Sequence, residues 1–144
     1  MTKKIVLGVL LGLIVGGIAI QLIPYGHDHT NPAVGAEPQW DRPQTRDLAV
    51  RACYDCHSNQ TTWPWYSNIA PVSWLIQHDV AQGRSRLNFT DWNAPQPAAD
   101  NAARQVQRGA MPQSYYVALH PTANLTAAEK QALIKGLQAS AGGN

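Results

Sequence analysis

The feature that most constrains this chain is a pentapeptide that contains both of its cysteines, Cys53-Tyr54-Asp55-Cys56-His57. Its C-x-x-C-H pattern is that of covalent haem attachment. Two thiols at this spacing can add to the two vinyl groups on one edge of the porphyrin, and the adjacent imidazole then ligates the iron. The sequence therefore predicts one covalent haem c, attached through Cys53 and Cys56, with His57 as the proximal ligand of its iron.

Three other roles for the two cysteines stay open at this point. A thioredoxin-like redox pair would need a strand and a helix around the motif, whereas residues 45–57 are typical of a short helix with no apolar strand before it. A structural zinc site would need two more ligands, for which His78 and His120 are the candidates. A disulfide within the motif would close a very short loop and stabilise little. Haem attachment fits best, because it alone requires His57.

The composition of the chain beyond residue 40 points the same way. Only 16 of these 104 residues are Leu, Ile, Val or Phe, about 15%, which is below the roughly 20% at which a chain becomes suspect for disorder. The same stretch contains four Trp and four Tyr, which a solvated tail would lack. We therefore expect a folded domain in which the porphyrin supplies part of the apolar core, and which is largely unfolded without it.

An apolar run occupies residues 5–23 and is interrupted only by Gln21. At the rise of an α-helix it spans roughly 28 Å, close to the thickness of the hydrocarbon core of a bilayer. Because the run is longer than that of a secretory signal and lacks a small-residue cleavage site, we favour an uncleaved anchor over a signal peptide. Lys3 and Lys4 precede it, and the positive-inside tendency leaves these lysines in the cytoplasm and the rest of the chain outside.

The chain divides into a transmembrane signal anchor, a linker rich in Pro and Gly, and a haem-binding cytochrome c-like domain, at residues 1–24, 25–40 and 41–144. Apolar side chains at helical spacing predict four helices in the domain, at residues 41–57, 71–82, 98–108 and 126–139. Their inward-facing residues are predicted to include Leu48, Ala52, Val72, Leu75, Ile76, Val80, Leu133, Ile134 and Leu137. No run alternates long enough for a strand, so the predicted fold class is all-α, a small helical domain around one covalent haem.

A haem that transfers electrons usually has a second axial ligand, and the best candidate is Met111, since the only other methionine is the first residue. Met111 follows Gly109, whose missing side chain suits a helix C-cap, and precedes Pro112, which prevents the helix from resuming. A thioether on such a braced loop can face the iron from the side opposite His57. His78 and His120 are the competing ligands, and either would lower the reduction potential relative to methionine.

Several other side chains are candidates for contacts with the porphyrin. The aromatic residues are expected to pack against its faces and edges; they include Trp63, Trp65, Tyr66, Trp74, Trp92, Tyr115 and Tyr116. Arg51, Arg84 and Arg86 are candidate partners for its propionates, although each of them alone is more typical of solvent exposure. The chain contains no phosphate loop, no serine or cysteine triad signature and no basic patch, so neither nucleic acid nor a catalytic site is predicted.

The order of these motifs resembles a known family. From Cys53 onward the chain reads CYDCHSN, WPWY, APVSW, LNF, MP and HP, which is similar to the "haem-binding domain" family of bacterial, membrane-tethered proteins with one c-type haem motif. The resemblance covers about residues 42–137, and it implies haem attachment at Cys53 and Cys56 with ligation by His57. Members often carry a second proline after Met-Pro, where this chain has Gln113.

Together these observations lead us to expect a monohaem c-type cytochrome, anchored in a bacterial inner membrane by a single span, with its C-terminal domain in the periplasm. It would exchange electrons with protein redox partners and would not be an enzyme. Two alternatives remain. One is a haem-based sensor or peroxidase-like enzyme with an open sixth position. The other is a haem subunit of a larger membrane respiratory or photosynthetic complex.

Overall fold

The computed structural model of the chain describes residues 2–140. Over these residues it is all-helical and contains no strand, which confirms the predicted all-α class. The α-helices are α1 (Thr2–Ile20), α2 (Pro43–Ala52), α3 (Tyr54–His57), α4 (Val72–Arg86), α5 (Ala102–Gln107), α6 (Ser114–Leu119) and α7 (Ala127–Ser140). Single 3-10 turns lie at Trp65–Asn68, Ala99–Asn101 and Pro121–Ala123.

The chain folds into two compact units. The first unit contains residues up to Thr30 together with Trp63–Asp79. Its longest element is α1, whose aliphatic side chains are exposed along its length. By length and composition α1 is able to cross a membrane. The chain after α1 turns at Gly26, where φ is +93°.

The second unit contains Asn31–Thr62 and the chain from Val80 onward. Its core forms mainly where α2, α5 and α7 pack together. The buried side chains there are Leu48, Ala49, Ala52, Ala102, Ala103, Val106, Leu133, Ile134 and Leu137. The predicted inward faces of the first and last helices of the domain are therefore confirmed, and alanine fills much of the space between them.

An aromatic cluster extends this core around Phe89, which is 1% exposed. The ring of Phe89 stacks on Tyr54 at 5.9 Å and on Trp92 at 6.2 Å, and it lies 5.3 Å from Trp40. The guanidinium of Arg46 lies 5.9 Å from the centroid of the Tyr54 ring. Aromatic side chains thus supply the bulk that the few aliphatic residues of this unit cannot supply.

The sequence Thr126-Ala127-Ala128-Glu129 is that of a helix capping box, and Gly109 is predicted to end a helix; both features are present. In the capping box of α7, the backbone N–H of Thr126 donates to Oε2 of Glu129 at 2.7 Å, and the N–H of Glu129 donates to Oγ1 of Thr126 at 3.2 Å. The bond from the N–H of Thr126, with smaller contributions from the side chains of Arg51 and Thr126, lowers the pKa of the Glu129 carboxyl group to about 2. Gly109, which follows α5, has a φ of +73°, a left-handed conformation that favours glycine.

The structure also differs from the predicted helices. The helix predicted at residues 41–57 is interrupted at Cys53, where φ is −131° and ψ is −32°, so that the motif forms a helical turn of its own. The second helix continues to Arg86, and its predicted inward residues Val72 and Leu75 are 41% and 46% exposed. The sequence did not predict α6, because six residues that include two tyrosines and a valine have neither the length nor the propensity of a clear helix.

The segment for which the sequence predicts a linker makes specific hydrogen bonds within the second unit from Ala33 onward. The N–H of Gly35 donates to the carbonyl oxygen of Thr90 at 2.8 Å, and the N–H of Trp92 donates to the carbonyl oxygen of Ala36 at 2.9 Å. The guanidinium of Arg46 donates two hydrogen bonds of 2.7 Å to the carboxylate of Glu37. Arg46 is the main cause of the lowered pKa of Glu37.

Gly136 allows α2 and α7 to pack closely, and we predict that Gly136→Ala destabilises the protein. A Cβ at this buried position would lie 2.2 Å from Oγ1 of Thr45 and 2.8 Å from its Cβ. Overpacking of this kind costs about 1–3 kcal/mol, which exceeds the roughly 1 kcal/mol that alanine gains over glycine in a helix. Denaturant unfolding should show a lower free energy of unfolding. The exposed neighbour Lys135→Ala is the control, and an equally large loss there would contradict the prediction.

Candidate functional site

Three residues of the predicted haem site, Cys53, Cys56 and His57, lie on the single helical turn α3 and at its start. The carbonyl oxygen of Cys53 accepts hydrogen bonds from the N–H groups of Cys56 and His57, at 3.2 and 2.8 Å. Both cysteines are partly buried, and neither forms a disulfide. Burial, with a smaller contribution from Cys56, raises the pKa of the Cys53 thiol to about 12. The turn therefore presents two thiols next to an imidazole.

The imidazole of His57 is held by a hydrogen bond from Nδ1 to the carbonyl oxygen of Leu87, at 3.0 Å. Since a carbonyl oxygen only accepts, Nδ1 carries the proton and Nε2 carries a lone pair. Burial lowers the pKa of His57, although hydrogen bonds to the Leu87 and Gly83 carbonyls oppose this effect. A neutral imidazole whose second nitrogen is oriented in this way is the usual metal-ligating histidine. The donor set present therefore fits haem iron.

The motif packs directly against the backbone of α4. A Cβ on the buried residue Gly83 would lie 2.2 Å from the carbonyl oxygen of Cys56 and 2.8 Å from its carbonyl carbon. Only a glycine allows this approach, because the atoms it meets are backbone and cannot move aside. Four residues further on, the N–H of Leu87 bonds to the carbonyl oxygen of Gly83 at 2.9 Å. One helical turn of α4 thus contacts Cys56 and also positions the carbonyl group that holds His57.

A network of buried amides and hydroxyls joins the residues after His57 to those after Leu87. The N–H of Phe89 donates to the carbonyl oxygen of His57 at 2.8 Å. The N–H of Asn59 donates to Oγ1 of Thr90 at 2.6 Å, and the side-chain amide of Asn88 donates to Oδ1 of Asn59 at 2.8 Å. The sequence did not assign Asn59 and Asn88 to the site. The available signals were that Asn59 ends the motif CYDCHSN, that Asn88 lies in the motif LNF, and that each begins an Asn-x-Thr triplet, which is typical of turns.

Two of the three arginines that were candidates for haem propionates, Arg84 and Arg51, have other acceptors. Arg84 donates to the carbonyl oxygen of Ser58 at 2.8 Å, to Oγ1 of Thr61 at 2.8 Å and to Oδ1 of Asn31 at 2.7 Å. Arg51 donates to Oε1 of Glu129 at 2.6 Å. Arg84 therefore fixes the loop that follows the motif, and Arg51 joins two helices of the core.

Asp55, at the second variable position of the motif, is bonded to α6. Its Oδ2 accepts a hydrogen bond of 2.7 Å from the hydroxyl of Tyr116, and its Oδ1 accepts one of 3.0 Å from the N–H of Thr62. Burial and the Asp55 carboxylate raise the pKa of Tyr116. The ring of Tyr116 also stacks on His120, with 4.1 Å between centroids. The attachment motif is thus connected to the helix that follows Met111.

Met111 is partly buried on the loop between α5 and α6. The N–H groups of Ala110 and Met111 both donate to the carbonyl oxygen of Gln105, at 3.0 and 3.2 Å. The loop is therefore braced by α5 on one side and by the Asp55–Tyr116 bond on the other. Of the competing ligands, Nδ1 of His120 bonds to the carbonyl oxygen of Tyr116 at 3.0 Å, and His78 is exposed.

Among residues 2–140, no three His, Cys, Asp or Glu side chains are grouped as the ligands of a metal ion. Cys53 and Cys56 do not form a disulfide with each other. The zinc and disulfide alternatives therefore gain no support from the described part of the chain.

A short helical turn that carries two thiols beside an oriented imidazole is typical of the class of haem-binding proteins. Comparison with protein families agrees, because the model of the haem-binding domain family matches residues 15–139. The chain belongs to the haem-binding domain family, which confirms the family inferred from the motifs. No curated protein and no solved structure matches the chain.

The bond between Asp55 and Tyr116 should contribute measurably to stability. A hydrogen bond to a charged group is worth about 1.5–3 kcal/mol, and we expect the lower end of this range for Tyr116→Phe because both side chains are partly exposed. Thermal or denaturant unfolding of the haem-loaded protein measures the loss. The matched control is Tyr115→Phe, whose ring is 43% exposed and which should change stability by less than about 0.5 kcal/mol. Equal effects at the two positions would contradict the role given to Asp55.

Proposed function

We propose that this protein is a membrane-anchored monohaem c-type cytochrome, which carries electrons at the periplasmic face of a bacterial inner membrane. The observation that carries the proposal is the arrangement of Cys53, Cys56 and His57 on one short turn, with Nδ1 of His57 engaged by the Leu87 carbonyl. Two thiols and an oriented imidazole at this spacing are what covalent haem attachment requires.

When bound, haem supplies an iron centre that takes up and returns one electron. Each thiol, Cys53 and Cys56, would add its S–H bond across one vinyl C=C bond. Sulfur bonds to one carbon and the hydrogen passes to the other, so the addition consumes no oxidant or reductant. Nε2 of His57 would be the proximal ligand and the thioether of Met111 the distal ligand, a pair that raises the reduction potential.

Whether Met111 as well as His57 binds the haem iron distinguishes an electron carrier from an enzyme. If both residues hold the haem iron, they leave no position on it for a substrate, so we propose an electron carrier. Without the Met111 bond the protein would instead be a haem-based sensor or a peroxidase-like enzyme with an open sixth position. Neither role requires nucleic acid as a partner.

The proposed location rests on α1. This helix carries Lys3 and Lys4 in its first turn, is apolar from residue 5 onward and exposes its aliphatic side chains. If α1 spans the bilayer, the positive-inside tendency keeps these lysines in the cytoplasm and exports the haem-binding domain. The haem would then be attached on the exported side, through the two cysteines of the chain, which both lie in the attachment motif.

A specific feature of α1 favours a second candidate, a haem subunit of a larger membrane respiratory or photosynthetic complex. Gly8, Gly12 and Gly16 are spaced four apart, and a Cβ on any of them would meet no heavy atom of the described residues within 4 Å. Such a face allows close approach of a second helix. Native electrophoresis after mild solubilisation separates the two candidates, because a subunit migrates with a large complex and a free carrier migrates alone.

We predict that haem stays with the denatured wild-type chain and gives a c-type spectrum in a pyridine haemochrome assay. A double substitution of Cys53 and Cys56 by Ala removes both attachment points, so the haem should be extracted completely by acidified solvent. His57→Ala should retain attached haem but lose the low-spin spectrum. Recovery of extractable haem from the wild type would overturn the proposal of covalent attachment.

The distal ligand has its own test. Sulfur ligation of ferric haem gives a long-wavelength charge-transfer absorption band, which should be present in the oxidised wild type and absent in Met111→Ala. The variant should also bind cyanide or carbon monoxide more readily, since its sixth position is open. His120→Ala is the matched control and should keep the band. If the wild type lacks the band, or if His120→Ala alone abolishes low-spin ligation, Met111 is not the ligand.

A further inference from the structure

Two reciprocal hydrogen bonds join the end of α1 to residue 70. Gln21 directly follows α1 and is the only polar residue of the apolar run. Its Nε2 donates to the carbonyl oxygen of Ala70 at 3.0 Å, and its Oε1 accepts from the N–H of Ala70 at 2.9 Å. Both polar atoms of the side chain are thus satisfied by one peptide segment. The backbone at Ala70 is held beside the end of the helix.

The chain that leaves α1 continues along the same segment. A Cβ on Gly26 would lie 2.8 Å from the backbone carbon of Ser73 and 2.9 Å from Cδ1 of Trp74, so these groups are in close contact. The ring of His29 stacks on Trp63 with 4.5 Å between centroids, and its Nε2 bonds to the carbonyl oxygen of Ser67 at 3.1 Å. The contacts at Ala70 are therefore one part of a continuous attachment.

The attached segment exposes large apolar side chains in a stretch with no charge. Between residues 63 and 77 there is no Asp, Glu, Lys, Arg or His, while there are three Trp and one Tyr. Four side chains here, which we call the exit patch, are Trp65, Ile69, Val72 and Leu75, exposed by 76%, 44%, 41% and 46%. Such a concentration of exposed apolar groups marks an interaction surface.

The position of the exit patch follows from the length of the apolar run. If α1 crosses a bilayer, the hydrocarbon region ends near Ile23, the last residue of the run. Ala70 is bonded to Gln21, so Ile69 and Val72 lie at the depth where the acyl chains give way to headgroups. Tryptophan and tyrosine are enriched at this depth, because their rings are apolar and their N–H or O–H groups are polar.

We propose that the exit patch is a lipid-binding surface, which inserts into the headgroup region of the membrane that α1 crosses. This proposal rests on the proposed membrane anchoring. The occupant is the phospholipid surface rather than a protein, because the segment that carries the patch is hydrogen-bonded at Ala70 to the end of the spanning helix. The patch also carries no charge that a protein partner would complement. Binding is by apolar insertion and does not depend on anionic lipids.

The test uses the full-length, haem-loaded protein in phosphatidylcholine vesicles that contain a phosphatidylcholine with a photoactivatable group near its glycerol backbone. After irradiation, mass spectrometry locates the labelled residues. We expect labelling of α1 and, in addition, of residues 65–75. Leu119 is 61% exposed but lies outside the patch, and it should stay unlabelled. Omitting or adding phosphatidylglycerol should leave this pattern unchanged.

The double variant Trp65→Ser with Leu75→Ser should reduce labelling of residues 65–75 at least about fivefold and leave labelling of α1 unchanged, since only the inserted apolar groups are lost. Leu119→Ser is the matched control and should alter neither. Haem absorbance and helicity verify that each variant folds. The labelling of the wild-type protein is decisive even if a variant does not fold.

The possible outcomes test the lipid-binding patch and the membrane anchor separately. If α1 is labelled and residues 65–75 are not, the patch proposal is wrong and the anchor stands. If neither is labelled, both are wrong. A changed haem spectrum in Trp65→Ser, with unchanged lipid labelling of the other patch residues, would show that Trp65 belongs to the haem site and would overturn its place in the lipid surface. Labelling in vesicles that disappears in native membranes would show that a protein covers the patch, which also overturns the proposal.

Discussion

The hydrogen bond from His57 to the carbonyl oxygen of Leu87 is the interaction on which the proposed site depends. It fixes the tautomer and the plane of the imidazole, and the surrounding structure serves to keep the acceptor in place. Gly83 lets α4 approach the motif, and the carbonyl of Leu87 follows one turn later. The buried side chains of Asn59 and Asn88 then hold the two segments together. The proposed metal ligand is positioned in this way by a backbone carbonyl group.

The core of the second unit shows how a chain with few aliphatic residues can still pack. Ala49, Ala102 and Ala103 are small enough to let the helices pack closely. Gly136 has no side chain and so allows α2 and α7 to approach each other at Thr45. The aromatic cluster around Phe89 supplies volume. From the sequence we expected a porphyrin to supply part of the apolar core, with aromatic side chains packed around it. The alanine-rich contacts and stacked rings fill part of the core without any haem. That the domain is largely unfolded without haem stays a prediction.

Structural features that depend on a long apolar run or on neighbouring residues were predictable from the sequence, and contacts between distant residues were not. The apolar run, the capping box at Thr126 and the left-handed Gly109 each depend on neighbouring residues, and the structure contains all three. The family was recognisable because its motifs are short and ordered. The interruption of the helix at Cys53 is not indicated by a glycine or a proline in the sequence there. The bond between Asp55 and Tyr116 joins residues 61 apart, so nothing in the local pattern indicates it.

The loop that carries Met111 has a consequence for kinetics. The carbonyl oxygen of Gln105 accepts hydrogen bonds from two successive N–H groups, and the ring of Pro112 restricts the backbone after Met111. A ligand on such a loop has few alternative positions when the charge beside it changes. For the electron carrier proposed here, a stiff loop means a small reorganisation energy with each transfer, because atoms that are already in place need not move. The speed of electron exchange would then be set by the approach of the redox partner.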